Sequence, residues 1–265
     1  MPLYRSSAAQ FRVQALDGSL VPTIVEQYRH RLSHRPGSSE IRSWERSLHT
    51  LSADLVQAGL DSVEVLLEYQ LPLTSKRADA VLCGVHPRTG QPSYVVVELK
   101  QWSQAALLED SVDLCLVPTY GGARLHPGEQ VRRYCGHLGD FLATLADLED
   151  PIAGAAYLHN ATDRAVEDLF RLPEDEQGRL FTGQRRGEFL GRREKAGQGG
   201  HGRGLRPRAR QPGRRLVRAE EGDALPLRDV PAAPSQAPGP RRARAPAAQQ
   251  PDACADLSPR VGEVS

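Results

Sequence analysis

"RADAVLCGVHPRTGQPSYVVVELKQW", residues 77–102, poses the question on which the fold turns. Two apolar runs flank a stretch rich in Pro and Gly, the pattern of a β-hairpin with strands over 77–86 and 93–102 and a turn over 87–92. The Tyr-Val-Val-Val run suits a buried central strand. Yet Asp79, Glu98 and Lys100 stand at the edges of these runs, where a core takes aliphatic side chains. A solvated sheet face accounts for them, and so does a metal-dependent phosphodiester site.

Hairpin geometry lets the three converge. Asp79 and Glu98 are 19 positions apart with the turn near the midpoint, so an antiparallel pairing sets them side by side. Period-two alternation puts Glu98 and Lys100 on one face. A hard cation such as Mg²⁺ (or Mn²⁺) takes oxygen ligands and keeps several waters, so one or two carboxylates suffice. Such a cation polarises a phosphoryl oxygen and acidifies a bound water. A lysine alongside positions that water and offsets transition-state charge. In that reading Asp79 and Glu98 hold the metal, with the Leu99 carbonyl as a third ligand, and Lys100 serves catalysis. In the plain reading Glu98 and Lys100 are a same-face charge pair.

Around the hairpin the apolar spacing predicts a helix over 20–34 and another over 38–60. The second has Ser38 or Ser39 as N-cap, Ile41, Trp44, Leu48, Leu51, Leu55 and Val56 on one face, and Gly59 at its C′ position. A strand follows over 63–73. Beyond the hairpin, residues 114–127 read as a short hairpin or loop, 126–148 as a helix, 151–160 as a buried strand and 161–170 as a further helix. The order helix, three strands, helix, strand predicts an α/β fold with a mixed central sheet flanked by helices. Residues 1–37 are expected to form an N-terminal helical extension.

The chain of 265 residues carries a net charge of +1, which neither favours nor excludes a nucleic-acid partner. No apolar run approaches the ~18 residues of a membrane span, and the N-terminus lacks the apolar core of a secretory signal, so a cytoplasmic protein is expected. Cys83, Cys115, Cys135 and Cys254 show no zinc or CxxC spacing and read as free thiols. Lysine occurs only at positions 76, 100 and 195, so a lysine two residues after Glu98 is poor filler. From residue 191 onward the chain turns to Gly, Ala, Pro and Arg, a composition too poor in apolar surface to offset ordering entropy. Residues 191–265 are therefore expected to be a disordered tail, either a genuine basic segment touching phosphates or the out-of-frame product of a GC-rich reading.

Asp79 followed by Glu98-Leu99-Lys100 at a strand end, in this element order, resembles the PD-(D/E)xK nuclease superfamily with its restriction-endonuclease-like αβββαβ core. Ala78 stands where the motif's Pro would be. The RecB-like branch adds Gln-x-x-x-Tyr on the helix after the lysine strand, and "QVRRY" supplies Gln130 and Tyr134. The resemblance implies that these two support the site, and that the first helix donates an acid, Glu45 ahead of Glu40. "VVVELKQW" and "HPGEQVRRY" further resemble a bacterial group in which such a domain, here residues 38–190, precedes a Schlafen-type P-loop helicase. No GxxxxGK[ST] occurs, so there is no ATP site in this chain and the helicase half is missing. The resemblance implies Mg²⁺- or Mn²⁺-dependent hydrolysis of DNA or RNA. The alternatives are an inactive nucleic-acid-binding or regulatory module and a non-functional fragment.

Overall fold

The protein is represented by a computed structural model that describes residues 1–86, 89–142 and 152–191. The expected tail beyond Gly191, Cys254 within it, Pro87 and Arg88 of the expected turn, and residues 143–148 of the expected 126–148 helix lie outside those residues. The chain runs β1 (Tyr4–Ser7), α1 (Ala8–Asp17), α2 (Leu20–Leu32), α3 (Ser38–Gln57), β2 (Glu64–Gln70), β3 (Arg77–Val85) and β4 (Pro92–Lys100). Three short strands follow, β5 (Ala106–Leu107), β6 (Leu114–Leu116) and β7 (Ala123–Leu125). Then come α4 (Pro127–Phe141), β8 (Ile152–Leu158), a 3-10 segment (Arg164–Arg171), β9 (Arg179–Thr182) and α5 (Arg186–Gly191).

Six strands form one mixed sheet in the order β1-β2-β3-β4-β8-β9. The first four pair antiparallel with their neighbours, and β4, β8 and β9 are parallel. A parallel neighbour needs a crossover, and α4 supplies it between β4 and β8. The sheet is covered on both faces, which is why its strands read as unbroken apolar runs. On one face Val65, Leu67, Ala80, Leu82, Val95 and Val97 pack with α1, α2 and α3. On the other, Val81, Tyr94 and Val96 pack with Val131 and Leu138 of α4. β5, β6 and β7 make a separate small sheet.

The N-terminal segment departs from the expected helical extension, because β1 joins the central sheet as an edge strand beside β2. Helix α3 begins with Gly37 as N-cap and no side-chain cap bond, so neither Ser38 nor Ser39 caps it; Gly59 does take a left-handed φ of 69°. Val56, expected on the buried face, is exposed. The segment expected as a helix over 161–170 is a 3-10 turn broken at Val166, whose φ of −134° is not helical. Helix α4 ends at Phe141, and Leu142 is already extended. At Gly154 in β8 an added Cβ would lie 1.9 Å from the Gln177 carbonyl oxygen, so only glycine admits the segment that leads into β9. No helix among the described residues is long and apolar enough to cross a membrane.

One position disturbs the sheet's alternation. Val65 and Leu67 face the α1–α3 core and Leu66 the α4 core, but beyond Glu68 it is Tyr69 and Leu71 that join the α4 side. Glu68 has a φ of 50°. A non-glycine residue pays roughly 1–2 kcal/mol to sit there. Such an outlier inside a buried strand marks a place where the fold holds a side chain against local preference.

Candidate functional site

Strand register brings three acids into one row. Ala80 pairs with Val97, so the next step along the ladder sets Asp79 opposite Glu98. The pairs Leu67–Ala80 and Tyr69–Ala78 bracket Glu68 opposite Asp79. Glu68, Asp79 and Glu98 therefore lie level across β2, β3 and β4, at the end of the sheet where β4 finishes with Lys100.

Glu98 is only 3% exposed. Its Oε1 accepts hydrogen bonds from Lys100 Nζ (2.7 Å) and from Gln130 Nε2 (2.8 Å). Gln130 Nε2 also donates to the Tyr134 hydroxyl at 2.9 Å. Gln130 and Tyr134 are one turn apart on α4, which is the spacing that lets them meet. His126 fixes the start of that helix: its Nδ1 accepts from the Gly128 amide (3.1 Å), and its Nε2–H donates to the Leu169 carbonyl (2.9 Å). Burial lowers the pKa of this imidazole, consistent with the neutral tautomer that both bonds require. Glu98 Oε2, by contrast, is buried without a hydrogen-bond partner among the described residues.

Asp79 is half-buried, and its Oδ2 accepts the Leu99 backbone N–H at 2.7 Å. The Leu99 side chain belongs to the α1–α3 core and lines the same cavity as Asp79. Burial, then the charges of Glu98 and Glu68, push the Asp79 carboxyl well above its ordinary range, against the pull of Lys100 and the Leu99 amide. Burial alone would lower the Lys100 ammonium, but Glu98 and Asp79 outweigh it and hold its pKa above the usual value. Lys100 Nζ also lies 5.5 Å from the centre of the Trp102 ring.

The α3 side of the site is a closed network. Glu68 accepts Trp44 Nε1 on one oxygen (2.7 Å) and Arg77 Nε on the other (2.8 Å), and Arg77 also pairs with Glu40. Burial pushes Glu68 upward against those two donors. A cavity of about 540 Å³ opens among these groups, lined by Asp79, Glu98, Lys100 and Gln130, by Glu40 and Glu68, and by Tyr120 and Arg124 from the β6–β7 hairpin.

Of the residues expected to converge, Asp79, Glu98, Lys100, Gln130 and Tyr134 are brought together. Glu45 is not: it is exposed and lines a different cavity, between α3 and the first two helices, with Gln14, Val21 and His49. At 3.6 residues per turn, five positions carry Glu45 about 140° around α3 from Glu40, so only Glu40 lines the cavity with Asp79. Arg132 and Arg133 are engaged by Glu129, Asp175 and Asp113 and take no part. Glu68 escaped the sequence reading, although a glutamate inside the run "VLLEYQL" is a charge where a strand should be buried. Tyr120 and Arg124 gave no such signal, because only the docking of a short hairpin carries them to the site.

The two carboxylates, Asp79 and Glu98, lie opposite one another on neighbouring strands, and one oxygen of Glu98 is without a hydrogen-bond partner among the described residues. Among the described residues there is no group of three or more His, Cys, Asp or Glu side chains that could hold a metal ion by themselves. No family model matches the chain, and neither a curated protein nor a solved structure matches it.

Proposed function

We propose that the chain is a divalent-metal-dependent phosphodiesterase acting on DNA or RNA, with Asp79, Glu98 and Lys100 as its working groups. One observation carries this reading: Glu98 is buried, its Oε1 is held by Lys100 and Gln130, and its Oε2 is left open beside Asp79. A buried carboxylate oxygen without a donor is costly unless a proton or a cation meets it.

Asp79 and Glu98 would hold Mg²⁺ or Mn²⁺, with the Leu99 carbonyl as a further oxygen. The cation, when bound, supplies Lewis acidity toward a phosphoryl oxygen and an acidified water. The upward shift of Asp79 fits that role, since a cation would offset both the burial and the neighbouring negative charges that cause it. Lys100, kept cationic by the two acids, orients the attacking water and offsets charge on the phosphoryl oxygens. Water's oxygen forms the new bond to phosphorus, the ester P–O bond breaks, and the departing oxygen leaves protonated. Gln130 fixes the Glu98 carboxylate, and Tyr134 fixes Gln130. Coupling to a helicase-type ATPase belongs to the same proposal.

The test is cleavage of labelled single- and double-stranded substrates with Mg²⁺ or Mn²⁺. Lys100→Ala and Asp79→Ala should each lower the rate at least about 100-fold, the scale of losing one electrostatic contact to a transition state. Absence of wild-type cleavage, or unchanged rates in both variants, overturns it. A second reading, a nucleic-acid-binding or regulatory module without catalysis, draws on the Lys100–Glu98 pair, in which the lysine already answers one of the site's carboxylates. Binding with steep salt dependence and no cleavage would decide for it.

A further inference from the structure

The chain has 14 Phe, Tyr and Trp residues, and all of them lie among the described residues. Thirteen are buried or half-buried. The exception is Tyr120, 49% exposed, and it lines the cavity that holds Asp79, Glu98 and Lys100. A lone exposed aromatic could fall anywhere on a surface; here it falls on the rim of the candidate site.

Its placement is specific. Tyr120 sits at the tip of the β6–β7 hairpin, where its amide donates to the Val117 carbonyl (2.9 Å) and Gly122 turns the chain with a φ of 79°. That hairpin begins from buried Cys115 and Val117, so the tip is anchored to the α4-side core. The Arg124 guanidinium lies 5.5 Å from the centre of the Tyr120 ring and lines the same cavity. Lys100 lines that cavity too. Ring, guanidinium and ammonium therefore share one cavity with Glu98.

A flat ring with a cation over one face, next to further positive charge, is the equipment by which proteins hold unpaired bases while their phosphates run past basic groups. A duplex keeps its bases stacked on one another and offers such a ring nothing to bind. We infer that Tyr120 and Arg124 form a base-stacking platform that selects single-stranded nucleic acid for this site. The inference rests on the phosphodiesterase reading for its choice of ligand, but it concerns binding and is measured without cleavage.

The experiment is fluorescence anisotropy of the full chain with a labelled oligothymidylate of about 12 nucleotides, within the site sizes of such stacking grooves. A duplex of the same length is the comparison, and EDTA prevents hydrolysis. Wild type should bind the single strand more tightly than the duplex. Tyr120→Ala should weaken single-strand binding about 5- to 150-fold, the range for losing one stacked base, while Tyr120→Phe retains it. Duplex affinity should not change. The salt dependence of Tyr120→Ala should keep the wild-type slope, because a stacked ring neutralises no phosphate. Equal affinities for wild type and Tyr120→Ala, a duplex preference, or no binding at all would overturn the platform. Tyr120-dependent binding by a protein that never cuts with Mg²⁺ or Mn²⁺ would keep the platform and remove the hydrolytic reading; cleavage of duplex unaffected by Tyr120→Ala would do the reverse.

Discussion

Two buried glutamates, Glu68 and Glu98, sit in the same row of the sheet with Asp79 between them, and they are treated in opposite ways. Glu68 is closed: each oxygen has a donor, Trp44 on one and Arg77 on the other. Glu98 is half-open: two donors share Oε1, and Oε2 has none. Both are almost fully removed from water, so solvation does not distinguish them. The difference lies in what surrounds them. Glu68 ties the N-terminal part of α3 to β2 and β3, whereas one oxygen of Glu98 has no donor among the described residues.

The comparison predicts opposite consequences for substitution of the two glutamates. Glu68→Ala leaves Arg77 and the Trp44 indole N–H short of a partner, and should cost about 3 kcal/mol of unfolding free energy in urea denaturation. Glu98→Gln should leave stability within about 1 kcal/mol of wild type while removing metal-dependent cleavage. If both substitutions proved equally destabilising and neither touched activity, the two glutamates would be the same kind of residue.

A cation should read the same contrast through stability alone. A ligand that binds only the folded state at 100 times its dissociation constant adds about 2.7 kcal/mol, so Mn²⁺ or Mg²⁺ should raise the thermal midpoint of wild type. The rise should vanish in Glu98→Gln. An identical rise in that variant would place the cation elsewhere.

The smallest effect concerns Asp79. Its folded-state pKa lies above the unfolded value, so the folded protein binds the extra proton. Asp79 then favours folding at low pH, and that contribution is lost as pH climbs from about 3.9, the unfolded value, through the raised folded value. Asp79→Asn without metal should therefore be more stable than wild type at neutral pH and show no such gain in acid. Urea denaturation at the two pH values checks the sign, and a destabilised Asn variant at neutral pH would mean that Asp79 is held ionised.

Local pattern was enough for much of the site. An antiparallel hairpin around a Pro/Gly turn has one register that keeps its apolar faces inward, so Asp79, Glu98 and Lys100 were bound to fall on one patch. Helix periodicity likewise puts Gln130 and Tyr134 together, one turn apart. Glu45 shows where that reasoning ends. A helix fixes which residues share a face, but which face meets the sheet end depends on packing against α1 and α2, and that turned Glu40 toward the cavity and Glu45 away.

What the sequence by itself determined, then, was the α/β order, the central hairpin and the residues that share a strand face or a helix turn. These follow from the periods of 2 and 3.6 and from turn chemistry, all of which act within a few residues. Tertiary structure alone decided that β1 completes the sheet's edge, that Glu68 with its φ of 50° joins the acid row, and that Tyr120 stands at the rim. Each depends on contacts between segments far apart in the chain, where the burial of one element selects the position of another and no local pattern records the choice.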